Sequence, residues 1–128
     1  MITAADIMTR DVVTIGEERP LREALAKLIE NKISGLPVVN KENEMVGIIT
    51  EKDMLNFILS GSLPQTRVKE AMTEEVVSFL PDTPYEKLCL SLLEHNFRRI
   101  PIVEGKKVVG IVSRRDLLRE VSRFYGEG

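Results

Sequence analysis

Two pairs of residues carry a hydroxyl and a carboxylate at one spacing, Thr50-x-x-Asp53 and Ser113-x-x-Asp116. Each carboxylate offers two acceptor oxygens, and each hydroxyl can both donate and accept. Two readings apply at a helix start. The pattern is that of a capping box, which satisfies orphan backbone amides and needs no ligand. The same helix start presents unpaired N–H groups and a partial positive potential, which favour an anion nearby. A cap also leaves one carboxylate oxygen free, so the two roles are compatible. Arg98 and Arg99 add planar guanidinium forks suited to two parallel hydrogen bonds with a phosphate, or they form a solvated basic face.

Other chemistry has little support. Cys89 and His95 lie six apart, a rotation of about 600° on a helix, which puts them on different faces. They read as a core residue and a helix-end surface residue. One His and one Cys cannot supply a His/Cys metal site, and neither a Walker A loop nor a G-x-G-x-x-G run is present. No catalytic residues and no metal ligands are expected, so the chain reads as no enzyme.

The elements that position these residues come twice. Slid by 64, Met8-Thr9 falls on Met72-Thr73, Val12-Val13-Thr14 on Val76-Val77-Ser78, and Pro20 on Pro84. Leu28-Ile29 falls on Leu92-Leu93, and Leu36-Pro37-Val38-Val39 on Ile100-Pro101-Ile102-Val103. With one residue dropped in a turn the shift becomes 63, and Gly47-Ile48-Ile49-Thr50 matches Gly110-Ile111-Val112-Ser113. Asp53-Met54-Leu55 then matches Asp116-Leu117-Leu118. The chain is a tandem repeat.

Each copy reads as βαββα. Val12–Ile15 and Val76–Phe79 are β-branched runs expected as strands. Pro20 and Pro84 suit a first helical turn, and Thr83-Pro84-Tyr85-Glu86 reads as a capping box with Thr83 at the cap. The helices that follow place Leu21, Ala24, Leu25, Leu28 and Ile29, or Tyr85, Leu88, Cys89, Leu92 and Leu93, on one apolar face. Hairpins are expected from Leu36–Val39 with Met45–Thr50, and from Ile100–Val103 with Lys107–Ser113, turning at Asn43 and Gly105. Second helices should run from about Glu51 to Ser60 and from about Arg114 to Tyr125. Short helical pieces are expected at Ala4–Met8 and Val68–Met72. The division is 1–60, a linker 61–67, and 68–128. The fold class is α/β (α+β), two repeats related by a pseudo-twofold axis and packed through their sheets. Such packing would create two related clefts, where small ligands tend to bind.

Composition agrees with one domain and one hydrophobic core. Hydrophobic residues are 43% and charged residues 30%, and the net charge of −2 gives no reason to expect nucleic acid or an anionic membrane surface. No apolar run nears the ~18–20 residues that cross a bilayer, no signal peptide is apparent, and a single Cys fits a reducing cytoplasm. Met8, Met45, Met54 and Met72 keep regular places in the repeat and read as core. Phe57, Ile58, Leu59, Leu118 and Val121 give the second helices more exposed apolar surface than a small monomer needs.

The runs Asp6-Ile7-Met8-Thr9, Ile33-Ser34-Gly35-Leu36-Pro37-Val38 and Gly47-Ile48-Ile49-Thr50-Glu51-Lys52-Asp53 resemble a CBS domain, named for cystathionine β-synthase. Val68–Thr73, Arg98–Val103 and Gly110–Asp116 resemble a second. The resemblance covers nearly the whole chain, and a pair of this kind is similar to a Bateman module. It implies a regulatory sensor of AMP, ADP, ATP or S-adenosylmethionine, with no cofactor required. One cleft would combine Ser113 and Asp116 with Thr9, Val13, Ile33, Ser34 and Pro37. The other would combine Thr50 and Asp53 with Thr73, Val77, Phe97, Arg98 and Pro101, with Arg99 beside it. The acids would hold ribose hydroxyls, and Val13, Ile33, Val77 and Phe97 would hold a flat base. The cleft walled by Arg98 is expected to prefer more phosphate. The resemblance further implies a homodimer and a protein effector acted on in trans. The alternative is a structural or dimerisation module with empty clefts.

Overall fold

The computed structural model describes residues 1–95 and 98–125. In chain order the elements are α1 (Ala4–Ile7), β1 (Ile15–Gly16), α2 (Leu21–Asn31), β2 (Gly35–Val39), β3 (Met45–Thr50) and α3 (Glu51–Leu59), then a 3-10 turn (Leu63–Gln65). They continue with α4 (Val68–Ala71), α5 (Tyr85–His95), β4 (Arg99–Glu104), β5 (Lys107–Ser113) and α6 (Arg114–Tyr125). The chain is mixed α+β, as its repeat pattern requires. Among the described residues no helix is long and apolar enough to cross a membrane.

The elements form two compact units, one of Met1–Val12 with Val77–Gly128, the other of Val13–Val76. Each has its own core, so the expectation of one core is corrected. Leu21, Ala24, Leu28, Leu36, Val38, Ile49, Met54 and Val68 cluster in the Val13–Val76 unit. Ala4, Leu88, Leu92, Ile100, Ile102, Val112 and Leu117 cluster in the other. The division follows from which leading segment docks on which repeat. Ala4 N donates to the Thr83 carbonyl at 2.9 Å, and Tyr85 N to the Ile2 carbonyl at 2.9 Å. Sixty-four residues on, Val68 N donates to the Arg19 carbonyl at 2.9 Å, and Leu21 N to the Thr66 carbonyl at 2.8 Å. The same bonds are made twice, each time between one repeat's leading segment and the other repeat's body.

A glycine makes room at each docking point. The Thr9 and Ile111 backbones exchange two bonds of 2.9 Å, as do those of Thr73 and Ile48. A Cβ on Gly110 would strike Met8 Sδ and come within 2.6 Å of Met8 Cγ, and one on Gly47 would come within 2.8 Å of both Met72 Sδ and the Thr73 carbonyl. The methionine pattern read as core packing is thus a methionine-on-glycine contact, repeated in both units. Met54 is itself fully buried.

Both hairpins keep the expected pairing, antiparallel, with a register shift at Val38/Val39 and at the matching Ile102/Val103. Asn43 and Gly105 turn them at positive φ. The first strands are shorter than their β-branched runs suggest. Only Ile15 and Gly16 pair, parallel, with Val38 and Val39, and in the second copy Phe79 alone bridges Ile102. Val12–Thr14 and Val76–Ser78 lie where the chain passes from one unit to the other, and join no strand among the described residues. Helix α5 starts at Tyr85, and Leu88 N donates to the Pro84 carbonyl at 3.4 Å. Pro84 therefore takes the cap place expected for Thr83, as Pro20 does before α2.

The apolar stripes are narrower than their spacing implies. Ile29 is 68% exposed and its counterpart Leu93 is 81% exposed. Phe57, expected on the surface, packs against the core. Cys89 packs against the second core, and His95 closes α5 at the surface.

Tyr85 ties α5 to α6 by donating to the Leu117 carbonyl at 2.5 Å. Burial, with Cys89 and Glu120 nearby, holds its phenol up to about 12. A phenol free in the unfolded chain titrates near ~10, so the stability this group contributes is whole below pH ~10 and is lost as pH rises toward 12. Absorbance at 295 nm during alkaline titration should show one tyrosine ionising late, and Tyr85→Phe should remove that late phase. Gly110→Ala and Gly47→Ala should each cost ~1–3 kcal/mol in urea unfolding by overpacking. Unchanged midpoints for both would contradict the docking described.

Candidate functional site

Strand β3 ends and α3 begins at Thr50, and β5 ends and α6 begins at Ser113. A strand passing straight into a helix leaves the first helical amides unpaired, and the sequence meets this in the same way twice. Asp53 N donates to Thr50 Oγ1 at 3.2 Å, and Thr50 N donates back to Asp53 Oδ2 at 2.9 Å. Thr50 Oγ1 also donates to that oxygen at 2.9 Å. In the second unit Asp116 N donates to Ser113 Oγ at 3.1 Å, and Ser113 N to Asp116 Oδ2 at 2.8 Å. The capping-box reading is therefore met at both acids.

The first helical amides find partners too. Glu51 N donates to the Ser34 carbonyl at 3.0 Å, and Arg114 N to the Arg98 carbonyl at 3.1 Å. Ser34 and Arg98 thus sit beside the helix starts of their own units through main-chain bonds. With these amides satisfied, the helix starts have less capacity for an anion than the pattern alone suggests.

The second carboxylate oxygen, expected free, is engaged in both units, and differently. Asp53 Oδ1 accepts from Thr73 Oγ1 at 3.3 Å. Thr73 reaches it because the Thr73–Ile48 pairing lays α4's exit beside the end of β3. Asp116 Oδ1 instead accepts from Arg119 Nη1 at 3.2 Å. Asp116 is 7% exposed while the Arg119 side chain is 65% exposed. Arg99 stands in register with Ser113. Burial pushes its guanidinium down from the ordinary value, and the nearby Asp116 charge partly offsets this. Arg119 was not among the residues singled out from sequence, although its i+3 spacing from Asp116 was available as the signal.

The remaining expected residues divide between the units. Thr9, Val77, Arg98, Arg99, Pro101, Ser113 and Asp116 lie in one, and Val13, Ile33, Ser34, Pro37, Thr50, Asp53 and Thr73 in the other. Pro37 and Pro101 are fully buried within their hairpins. Val13 and Ile33 pack against their unit's core, and Val77 is half-buried. Thr9 is exposed and joins Ile111 through its backbone. Phe97 lies outside the described residues. A depression of about 580 Å³ lined by Met1, Ile2, Asp6, Glu120 and Arg123 contains none of the expected residues. Among the described residues no group of three or more His, Cys, Asp or Glu could hold a metal ion.

The family model for the CBS domain matches residues 4–60 and 68–123. The CBS domain-containing protein YhcV of Bacillus subtilis is 32% identical over 91% of the chain and 84% of its own length. Other curated relatives are longer: the chain spans 41% of one and 24% of the next. The fold matches the crystal structure of CBSX2 in complex with AMP, at 28% identity and a TM-score of 0.86, over 97% of this chain and 98% of that one. It also matches the CBS domain pair of protein MJ0100 in complex with 5′-methylthioadenosine and S-adenosyl-L-methionine. There the identity is 28% and the TM-score 0.81, over 98% and 97% of the two chains.

The two acids should differ in what their removal costs. Asp53→Ala deletes a cap among neutral hydroxyls, a loss of ~1 kcal/mol. Asp116→Ala also leaves the partly buried Arg99 without its counter-charge, so the loss should be nearer ~2–3 kcal/mol. Urea midpoints compare them directly, and equal losses would contradict the environments described.

Proposed function

The chain belongs to the CBS-domain family, with two domains in tandem, and on that premise we propose that it is a regulatory module binding an adenine nucleotide or a related adenosyl ligand. The reading turns on the carboxylates of Asp53 and Asp116. A ribose presents two adjacent hydroxyl donors, and a carboxylate already fixed by its cap can accept both while giving up little further freedom. The observation that carries this is one capped carboxylate at the same place in each unit. It is supported by similarity across nearly the whole chain to one structure bound to AMP and another bound to S-adenosyl-L-methionine and 5′-methylthioadenosine.

The Thr50 and Thr73 hydroxyls, which donate to Asp53, and the Ser113 hydroxyl, which accepts from the Asp116 amide, keep lone pairs for a ligand beside the acids, and Thr9 is a further candidate. Val13, Ile33 and Val77 supply apolar area for a base, with Pro37 and Pro101 fixing the hairpins that carry Ser34, Arg98 and Arg99. The arrangement fits recognition without catalysis, in the cytoplasm, with the signal passed to a protein effector in trans. A ligand shifts such a partner only by binding one of its states more tightly.

A homodimer belongs to the same reading. Ile29, Leu55 and Ile58 on α2 and α3 are exposed, and so are their counterparts Leu93, Leu118 and Val121 on α5 and α6. One apolar pattern presented twice suits an isologous contact with a second copy. It also supports the alternative, a dimerisation module with no ligand.

Thermal-shift measurements with AMP, ADP, ATP and S-adenosylmethionine distinguish the two. A true ligand at 100 times its dissociation constant should stabilise by ~2.7 kcal/mol. Each charged hydrogen bond lost in Asp53→Ala or Asp116→Ala should cost ~1.5–3 kcal/mol, or roughly 10–100-fold in affinity. Wild-type affinity in the double variant would reject the ribose assignment. Silence of all four ligands would leave the dimerisation module, for which sedimentation equilibrium of Leu118→Glu should show a shift toward monomer.

A further inference from the structure

The two acids occupy the same place in the repeat and stand in opposite electrostatic surroundings. Around Asp53 the bonded groups are neutral: the Thr50 hydroxyl and amide on one oxygen, and the Thr73 hydroxyl on the other. The start of α3 reads Glu51-Lys52-Asp53, and the residue three beyond the acid is Asn56. Around Asp116 the start of α6 reads Arg114-Arg115-Asp116, and the residue three beyond is Arg119, bonded to Oδ1 at 3.2 Å. Arg99 stands on β4 in register with Ser113, and the Asp116 charge acts on its guanidinium. Among the described residues Asp53 is bonded to neutral groups alone, with Glu51 two residues away and Lys52 beside it. Asp116 is ion-paired with Arg119 and follows Arg114 and Arg115 in the chain.

A carboxylate that accepts a ribose diol stands one sugar away from whatever the ligand carries at its 5′ position. That separation is comparable with the ~8 Å Debye length at physiological salt, so an unbalanced charge there still acts on a ligand phosphate, and added salt weakens it. We infer that Arg119 and its counterpart Asn56 set the charge class of ligand taken in each unit. The Asp116 position takes a 5′-phosphorylated nucleoside, and the Asp53 position takes an uncharged or cationic nucleoside. The inference rests on the adenosyl-ligand reading above. It assigns phosphate preference by the cation bonded to the acid, Arg119 at Asp116.

Titration calorimetry with AMP and adenosine on two single-acid proteins tests it. Asp53→Asn leaves Asp116 as the charged acid, and Asp116→Asn leaves Asp53. Asparagine keeps a capping oxygen, so the helix starts are retained. Asp53→Asn should bind AMP at least ~5-fold tighter than adenosine, and adding Arg119→Asn should bring that ratio close to one. Raising the salt concentration should shrink the ratio as well. Asp116→Asn should bind adenosine at least as tightly as AMP, and adding Asn56→Arg should move its preference toward AMP. Equal ratios in the two single-acid proteins, or a ratio that Arg119→Asn does not move, would overturn the inference and leave nucleotide binding standing. Wild-type protein giving no heat with either ligand would overturn the adenosyl reading, and this inference with it.

Discussion

The packing of a methionine onto a glycine, made twice, is the constraint from which the rest follows. Met8 lies where a side chain on Gly110 would be, and Met72 where one on Gly47 would be. Each contact sits next to an exchanged pair of main-chain bonds that pins the leading segment of one repeat to the body of the other. Because those segments are pinned, Thr9 lies beside β5 and Thr73 beside β3, and Thr73 comes within reach of Asp53. The hydroxyl that a ligand at Asp53 must displace or share, that of Thr73, is placed there by the packing of its neighbour Met72.

The strand-to-helix junction gives each acid two tasks. One carboxylate oxygen closes the cap, a local requirement of any helix that begins directly at the end of a strand. The other projects to where a neighbour decides its partner, Thr73 in one unit and Arg119 in the other. A residue held by its structural task is already oriented for a ligand, so recognition at that oxygen needs little new ordering. Similar local geometry at different local charge is what duplication followed by substitution at a few positions, Glu51 against Arg114 and Asn56 against Arg119 among them, produces.

Much of this was legible in the residues. The hairpins, the second helices and both capping boxes follow from spacing alone, because strand alternation and the Ser/Thr-x-x-Asp pattern are local signals. What spacing could not show was which copy each leading segment would join. Ala4 and Val68 read identically whether they dock on their own repeat or on the other. Periodicity also overcounted the apolar faces: Ile29 and Leu93 keep helical spacing yet stand in solvent, since a stripe five residues wide exceeds what one small sheet can cover. The partner of each acid's second carboxylate oxygen is not legible in the sequence for a related reason. Thr73 is twenty residues from Asp53 and arrives through tertiary docking, and Arg119 was hidden among four arginines on one helix.

Residues 13–76 form one uninterrupted stretch, while the other unit needs residues 1–12 together with those from 77 onward. During synthesis the first stretch can complete its structure as soon as α4 leaves the ribosome. Residues 1–12, made before that stretch, must wait for β5 before Gly110 is there to receive Met8. A nascent chain paused between these events would hold one finished unit and an undocked segment of residues 1–12, with the apolar Met8 not yet seated on Gly110.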